Sequence, residues 1–436
     1  QEYFSDGLAE EIINDLVKIP NLNVAARTSA FQFKGKYEDL RVIGRALNVE
    51  HVLEGSVRRE GTRVRITAQL VKANDGFHLW SDTYDRDLKD VLTVQDDIAR
   101  AVTSALQVTL LGEKSRATRP TSQVTPEAYE DFLHARYFAR MGDKESARKA
   151  LDYVNRAIQS DARYAVAYAW RASLTLSSGA MAWMDYSKAI QEARRDIEKA
   201  IELDSNLADG YRVLSQIQSV VESNCRVAET TVKRARELAP GDVENVGQSG
   251  SIAMCLGRQE EAVELFRHAL ALDPLQPGRY LRLAQNLRDL GRYDESHVAL
   301  GKALDLNPRN VWLHETRGEV YLAQGRPQEA LEEMKKEPPG FLRDVGMALA
   351  HEALGRHQES RAALGNLISV CPNDCAYQIA QVYAYRGEVD QAFEWLNRAH
   401  RQHDGGLILI KTDLLLASLR GDPRFAQMLK RLNLAD

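Results

Sequence analysis

GRQEEAVELFRHALALDP (257–274) and GRYDESHVALGKALDLNP (291–308) are copies of one pattern, and that pattern decides the fold of most of this chain. Each copy opens with Gly-Arg and closes with Pro. The matching prolines and glycines both recur at a step of 34 residues: Pro240, Pro274, Pro308, Gly257, Gly291 and Gly325. A period of roughly 20–50 residues is typical of stacked repeat units. The sequence therefore predicts helix–turn–helix units, stacked as an all-α solenoid, from Pro126 onward.

Small side chains recur inside each predicted helix pair and predict how its two helices meet. Each helix of a copy carries one larger and two small residues at regular spacing. In one copy these are Val246, Gly250 and Ala253 in the first helix, and Ala262, Phe266 and Ala269 in the second. Small residues let helix backbones approach closely, and the larger residue fills the space beside them. A longer segment at 177–190 and a shortened one around Pro338 and Pro339 break the period.

These positions match the consensus of a known repeat. Gly250, Ala262, Ala269 and Pro274 resemble the glycine, the two alanines and the proline of tetratricopeptide repeats. The resemblance extends over residues 126 to about 400, although few copies carry the tryptophan of that consensus. Tetratricopeptide repeats bind proteins or peptides, so the resemblance implies an interaction surface.

Residues 1–112 have a different texture and predict a compact α/β domain. Helical and strand periods alternate along this region, with helices at 5–20, 39–47 and 88–111, and strands at 21–27, 52–60, 62–73 and 77–86. We expect the helices to cover one face of a mixed sheet. Because a helix precedes the first strand, we expect that a strand is missing and that the chain begins inside this domain. Polar residues 113–125 predict a linker to a tetratricopeptide-repeat solenoid with a C-terminal cap at 126–436.

The amino-terminal region also resembles a known family. YFSDGLAEEIINDLVKIPNLNVAARTSAFQFKGK (3–36), LRVIGRALNVEHVLEGSVRREGTRVRITAQLV (40–71) and HLWSDTYDRDL (78–88) are similar to the TolB-amino-terminal-like domain of bacterial signalling proteins. In that family tetratricopeptide repeats often follow this domain, and an output module precedes it. The module is commonly a class III adenylate/guanylate cyclase domain, and sometimes a winged-helix DNA-binding domain or a kinase. A single membrane helix often lies in between.

The resemblance implies three hypotheses. In the first, the chain is a non-catalytic regulatory and interaction region whose repeat groove binds a protein or peptide. In the second, it is the C-terminal regulatory region of a class III adenylate/guanylate cyclase whose catalytic domain lies upstream. In the third, it is the sensor region of a winged-helix transcriptional regulator, or a free scaffold. No catalytic residue can be carried over to this chain from any of these relatives.

Composition restricts the partners and leaves the compartment open. The net charge of -5 argues against a general attraction to nucleic acid. The richest apolar stretch, GLILIKTDLLLASL (406–419), is broken by Lys411 and Asp413, so we expect no membrane span in this chain. The chain begins with Gln1 and has no signal-like segment, so we expect it to be part of a longer protein. A membrane helix upstream would place it in the periplasm or outside the cell, and otherwise it would be cytoplasmic.

We find no motif for catalysis, for a cofactor or for a metal. KGK (34–36) lacks the upstream glycine of a phosphate loop. His400 and His403 have no third ligand near them in the sequence. The four cysteines are too few for a disulfide framework. We interpret Cys371 and Cys375 as buried thiols and leave a disulfide between them as the alternative.

The candidate site is the concave groove that the first helices of the repeats are expected to line. Five inward positions carry the prediction: Gln285, Arg288, Trp312, Glu315 and Glu319. Their mixture of polar, charged and apolar groups suits a peptide or a helix of a partner protein. Four arginines cluster on one predicted hairpin, and we interpret them as a solvated sheet face rather than a nucleic-acid site: Arg58, Arg59, Arg63 and Arg65.

Overall fold

The computed structural model describes residues 2–87, 91–105, 124–181, 183–371 and 375–435. These residues form two compact units. The amino-terminal unit comprises Gln1–Leu214, Thr231–Asn245 and Ala271–Pro274, and the carboxy-terminal unit comprises Ser215–Thr230, Val246–Leu270 and Leu275–Asp436. The predicted linker at 113–125 lies almost entirely outside the described residues, so the domain boundary stays a prediction.

The first elements of the amino-terminal unit follow the predicted order with one exception. They are α1 (Glu2–Leu16), α2 (Arg27–Ala30), a 3-10 turn (Phe31–Phe33), α3 (Leu40–Leu47), β1 (His51–Glu60), β2 (Arg63–Lys72), β3 (His78–Asp87) and α4 (Val91–Ala105). The strands pair in chain order and are all antiparallel. The expectation of a mixed sheet is therefore wrong for the described residues, because tight turns between successive strands force antiparallel pairing.

The exception is the strand predicted at 21–27, which is wrong. Residues 22–26 belong to no helix or sheet, and α2 starts at Arg27. The backbone N–H of Ala26 donates to the carbonyl of Leu272 at 2.7 Å. Among the described strands, β1 pairs only with β2. A strand needs a neighbour for its backbone groups, so the apolar alternation alone does not make one.

The core of this unit lies between one face of the sheet and the helices α1 and α4. Its buried side chains come from α1, β2 and α4: Phe4, Leu8, Ile12, Leu16, Val64, Ile66, Ala68, Leu70, Val94, Ile98 and Val102. Every second residue of β2 points inward, as the period-two pattern predicts. A cavity of about 830 Å³ lies between α1, residues 22–25 and β1, and its lining includes Ile12, Leu16 and Leu53. The expectation of a missing strand stays a prediction.

From Pro126 the described residues form eight helix pairs, which confirms the predicted helix–turn–helix pattern. They are α5 (Pro126–Ala139) and α6 (Lys144–Ser160), α7 (Ala165–Ala180) and α8 (Tyr186–Leu203), α9 (Ala208–Gln216) and α10 (Cys225–Leu238), α11 (Val243–Cys255) and α12 (Gln259–Leu272), α13 (Pro277–Asp289) and α14 (Tyr293–Leu306), α15 (Leu313–Ala323) and α16 (Pro327–Met334), α17 (Phe341–Ala353) and α18 (His357–Val370), and α19 (Ala376–Tyr385) and α20 (Val389–Gln402). A π-helical turn, Ile217–Val221, extends α9.

Two glycines show why the repeat needs this residue. Gly257 ends α11 with a φ of +80°, and its N–H donates to the carbonyl of Met254 at 2.9 Å. Glycine enters this left-handed region without a steric penalty. Gly250 serves packing instead, because an added Cβ would lie 2.9 Å from Cε1 of Phe266. The predicted close approach of the two helices at Gly250 is therefore confirmed.

The chain continues beyond the last pair in a segment that the repeat does not predict. Residues 404–419, which we call the strap, contain two 3-10 turns, Gly405–Leu409 and Leu414–Leu419. The strap buries five apolar side chains: Leu407, Ile410, Leu415, Leu416 and Leu419. A final helix, α21 (Pro423–Arg431), then packs beside α20, where Arg424 binds Asp390 at 2.8 Å. The expectation of a C-terminal cap stays a prediction.

All four cysteines form disulfides. Cys225 bonds to Cys255 with the Cα atoms 6.4 Å apart, and Cys371 bonds to Cys375 with the Cα atoms 5.7 Å apart. The interpretation of Cys371 and Cys375 as buried thiols is therefore wrong. The turn between α18 and α19 brings their Cα atoms into the range that a disulfide spans. Cys225 and Cys255 meet because helix packing places the start of α10 beside the end of α11.

Candidate functional site

The candidate residues lie on two neighbouring first helices of the carboxy-terminal unit. Arg288 is in the last turn of α13, while Glu315 and Glu319 are four residues apart on one face of α15. Nη1 of Arg288 donates to Oε2 of Glu319. Nε of Arg288 donates to Oδ1 of Asp289 at 2.8 Å. The guanidinium thus joins carboxylates from both helices.

Three of the five predicted contacts are not available to a partner in this conformation. Arg288, Glu315 and Glu319 are only 4–7% exposed, and the Arg288–Glu319 ion pair lies within the unit. A buried charge needs a charged or hydrogen-bonding partner, and Arg288 and Glu319 supply one to each other. Glu315 instead accepts a hydrogen bond from the hydroxyl of Thr316 at 3.4 Å. Their prediction as surface contacts is corrected accordingly, and whether they influence binding stays a prediction.

Burial changes the protonation of this cluster. It raises the pKa of Glu315 to about 8, with the positive charge of Arg288 opposing the shift. It also raises the pKa of Asp289 to about 6, again against Arg288. Asp413 of the strap adds to both shifts, because its negative charge repels the other two carboxylates. Glu315 is therefore mostly protonated at neutral pH.

Trp312 is the residue that precedes the first turn of α15, and its ring packs within the protein. Its backbone is left-handed, with a φ of 78°, and its ring packs edge-on against Phe341 at 6.0 Å between ring centres. The carboxylate of Glu337 accepts the N–H groups of Trp312 at 2.9 Å and of Glu315 at 3.2 Å. A carboxylate at this place satisfies free N–H groups and complements the helix dipole. The break in the period after Met334 allows Glu337 to reach back to α15.

Gln285 and Trp312 are the predicted residues that remain partly accessible. Gln285 is half-buried on α13, and its Oε1 accepts from Nη1 of Arg282 at 3.3 Å. Trp312 is also half-buried and packs against the apolar core of α11 to α15. The five candidates lie on α13 and at or near the start of α15, and two of them, at most, are accessible to another molecule. Their role in binding stays a prediction.

The sequence reasoning missed the residues that occupy this surface. Asp413 of the strap accepts hydrogen bonds from the hydroxyl of Tyr377 and from Nε2 of Gln381, both at 2.7 Å. Tyr377 and Gln381 lie on the first helix α19. The one available signal was the apolar run at 406–419, which is too long and too hydrophobic for an exposed tail. Its lack of helical period hid where it packs.

Other sequence features have structural explanations. Arg59 binds Glu130 at 2.7 Å, while Arg63 and Arg65 reach Asp85 at 3.1 and 2.7 Å. These pairs offset the charge of three of the four hairpin arginines. Arg63 and Arg65 are exposed, as a solvated sheet face predicts, whereas Arg59 is half-buried against Glu130. In the part of the chain that the structure describes, no cluster of His, Cys, Asp and Glu has the makeup of a metal site. Across the same residues, every helix is too short or too polar to span a bilayer.

Comparison with protein families identifies the repeats. Residues 244–274 match the profile described as "Tetratricopeptide repeat", and residues 284–325 match one described as "TPR repeat". These segments cover α11 to α15, where the glycine and alanine pattern is most regular. The predicted tetratricopeptide repeats are therefore confirmed, whereas the TolB-like assignment of the amino-terminal region stays a prediction.

Two curated proteins are similar over part of the chain. The protein named "Putative adenylate cyclase 3" from Rhizobium meliloti (strain 1021) is 35% identical over 216 residues, which are 49% of this chain and 37% of that protein. The protein named "TPR repeat-containing protein MJ1428" from Methanocaldococcus jannaschii is 27% identical over 159 residues, or 34% of this chain and 27% of its own length. The chain thus spans well under half the length of these relatives.

Solved structures with a similar backbone path include other repeat proteins. A tetratricopeptide repeat protein from Parabacteroides merdae ATCC 43184 has 15% identity and a TM-score of 0.44, covering 59% of this chain and 98% of its own. Yeast Tom70 has 16% identity and a TM-score of 0.43, covering 70% of this chain and 67% of its own. The family profiles identify residues 244–274 and 284–325 as tetratricopeptide repeats, and the helix pairs there agree with them.

Proposed function

We propose that this chain is a non-catalytic interaction and regulatory region, and that the first-helix surface of its carboxy-terminal unit binds a protein or peptide partner. The observation that carries the proposal is the strap itself. First helices of tetratricopeptide-type pairs already hold a polypeptide segment there, through buried leucines and through Asp413. A surface that holds one such segment has the shape and chemistry to hold another.

Mutation of the accessible part of the surface tests this proposal. Gln285→Trp places a bulky ring on the half-buried face of α13, and Gln328→Trp makes the same change at an exposed position of the second helix α16. Binding partners recovered with the full chain would be identified by cross-linking and mass spectrometry. We expect Gln285→Trp to abolish recovery and cross-links to α13 and α15, with Gln328→Trp unchanged. Equal recovery with both variants would contradict the proposal.

A second candidate function is that the whole protein is a nucleotide cyclase and that this chain is its regulatory region. The similarity to the Rhizobium protein supports it, since 49% of this chain aligns at 35% identity with a protein named for that activity. The gene upstream of Gln1 decides the matter. A cyclase domain with its paired metal-binding aspartates would support this function, whereas a winged-helix domain there would replace it with transcriptional control.

The disulfides support a position outside the cytoplasm. Both pairs, Cys225–Cys255 and Cys371–Cys375, use every cysteine of the chain. Structural disulfides persist in oxidising compartments and are rare in the cytosol. Thiol labelling of protein isolated rapidly from cells tests this. We expect no labelled cysteine without reductant, and labelling of all four would place the chain in a reducing compartment.

A further inference from the structure

The strap crosses the first-helix surface of several repeats. Leu415 packs with Val345 and Leu349 of α17 and with Ile379 of α19. Ile408 and Leu409 pack against the core that α11 to α15 share. Within one unit, a single short segment therefore contacts helices from successive repeats, which is how an extended ligand lies along a repeat array.

The entry of the strap is fixed by close contacts. The carboxylate of Asp404 accepts the backbone N–H of Tyr377 at 3.0 Å. At Gly406 an added Cβ would lie 2.5 Å from Cδ1 of the Tyr377 ring, so only glycine fits there. Just before the strap, Nδ1 of His403 lies 2.8 Å from the carbonyl oxygen of Val221. These contacts place the first turn of the strap against the ring of Tyr377.

The centre of the strap is held by polar groups from one first helix. Asp413 is 2% exposed, and one of its carboxylate oxygens accepts from both Tyr377 and Gln381. Its other oxygen accepts the N–H of Leu415 at 2.9 Å and starts the second 3-10 turn. The hydroxyl of Ser418 donates to the carbonyl of Ala384 at 2.7 Å. The chemistry that the surface recognises is thus one carboxylate flanked by leucine and isoleucine side chains.

Charge repulsion opposes the binding of Asp413 at this site. Asp289 and Glu315 are buried near Asp413, and its charge disfavours their ionised forms. Arg288 offsets part of this repulsion. Bringing Asp413 into this site therefore opposes the apolar burial of the strap. This repulsion lowers the net free energy by which the apolar contacts hold the strap.

We propose that the strap is a resident occupant of the partner site, and that a partner binds by displacing it with a segment of the same chemistry, a carboxylate flanked by branched apolar residues. This inference rests on the proposed function, because it assigns both the partner chemistry and the regulation of that site. While the strap is seated, the surface is closed. An ion pair between Arg424 and Asp390 at 2.8 Å joins α21 and α20, the helices at the two ends of the strap.

Peptide exchange with the full chain tests the proposal. The probe is a labelled peptide of residues 404–421, DGGLILIKTDLLLASLRG, with blocked ends, and the control peptide carries Leu416→Asp. The chain is studied as wild type, as Leu416→Asp, as the milder Leu416→Ala, and as Ala417→Asp. Leu416 is buried and Ala417 is exposed, so Ala417→Asp adds the same charge to the strap without removing a buried contact. Circular dichroism reports helix content and amide exchange reports strap release.

We expect Leu416→Asp and Leu416→Ala to bind the probe at least about tenfold more tightly than the wild type, because the apparent affinity falls with the fraction of open sites. Ala417→Asp should behave as the wild type, and the control peptide should bind none of the four chains. Equal probe binding by the wild type and by Leu416→Ala would overturn the proposal. So would a Leu416→Ala chain that stays helical and releases its strap but takes up no probe.

Two further outcomes are decisive. If Leu416→Asp unfolds, Leu416→Ala gives the result. If Leu416→Ala also loses its helices, the strap is an inseparable part of the core and the proposal is wrong. The partner test with Gln285→Trp is independent of this one. If the probe exchanges as expected but no partner is found, the proposed function is wrong and the proposal that the strap occupies an exchangeable site still holds.

Discussion

The helix pair α13–α14 and the strap belong to the same unit and both bury apolar side chains, but they are specified in different ways. In the pair, small and large residues recur at fixed spacing, and Ala284, Leu287, Leu300 and Ala303 are buried where that spacing places them. In the strap, five apolar residues are buried without any period. The pair is specified by local pattern, whereas the strap is specified by the surface that receives it.

This difference has a consequence for function. The backbone hydrogen bonds of a helix lie within the helix itself, and the spacing of its apolar residues sets which face it buries. The 3-10 turns of the strap are short, and they depend on contacts with Tyr377, Gln381 and Ala384. The repeats are therefore the scaffold, and the strap is the part that another segment can replace.

The largest expected loss of stability comes from the same leucine-to-alanine change made in the helix pair and in the strap. Leu300 and Leu416 are both fully buried. Leucine-to-alanine changes at such sites cost about 2–5 kcal/mol. By native-state amide exchange, we expect Leu300→Ala to lower the unfolding free energy of the repeats and Leu416→Ala to lower only the opening free energy of the strap. Equal loss of protection in α14 for both variants would break the distinction.

Removal of the disulfides should give the next largest loss of stability. Cys225–Cys255 closes a loop of 30 residues, and Cys371–Cys375 closes one of 4 residues. Loop-closure entropy predicts losses of about 4 and about 2 kcal/mol on removal. Chemical unfolding of the two double-serine variants measures both values. Because Cys225 and Cys255 line a small cavity with Leu407 and Ile408, their removal should also speed amide exchange in the strap. Unchanged amide exchange in the strap would show that this disulfide does not stabilise the strap.

The pH dependence of stability sharpens the comparison next. The folded pKa of Glu315 is raised to about 8 from an ordinary value of 4.5. The folded state therefore holds a proton that the unfolded state releases, so stability falls as the pH rises from about 4.5 to about 8. We expect Glu315→Gln to remove a loss on the order of a few kcal/mol over this range, measured by urea unfolding at pH 5 and pH 8. Glu329→Gln at an exposed position of α16 is the control, and an equal pH slope in the wild type and Glu315→Gln would contradict the assignment.

The smallest effect concerns the helix pattern alone. Gly250→Ala would press a Cβ to within 2.9 Å of the Phe266 ring, whereas Gly301→Ala meets only Nη2 of Arg317 at 3.6 Å. We expect Gly250→Ala to lower the unfolding free energy by about 1–3 kcal/mol through overpacking. Gly301→Ala should raise it by up to about 1 kcal/mol through helix propensity. The two changes should have opposite signs in thermal unfolding, and the same sign would weaken the packing account of the repeat glycines.

The sequence predicted what local pattern can specify. The helix pairs, the strands of the hairpins and the close contact at Gly250 all follow from the spacing of small, large and polar residues. The strand at 21–27 was wrong because pairing depends on a neighbouring strand. Among the candidate site residues, Arg288 and Glu319 were correctly placed together on first helices. Their burial was not predictable, because it depends on contacts between distant parts of the chain.

The central claim is that Asp413 of the strap is bound by Tyr377 of the repeats, and a double-mutant cycle with Tyr377→Phe and Asp413→Ala tests it most directly. Their oxygens are 2.7 Å apart in a buried site. A hydrogen bond to a buried carboxylate is worth about 1.5–3 kcal/mol. We therefore predict a coupling energy of about that size in urea unfolding of the full chain. Additive effects of the two substitutions, to within about 0.5 kcal/mol, would show that the strap does not lie on this surface.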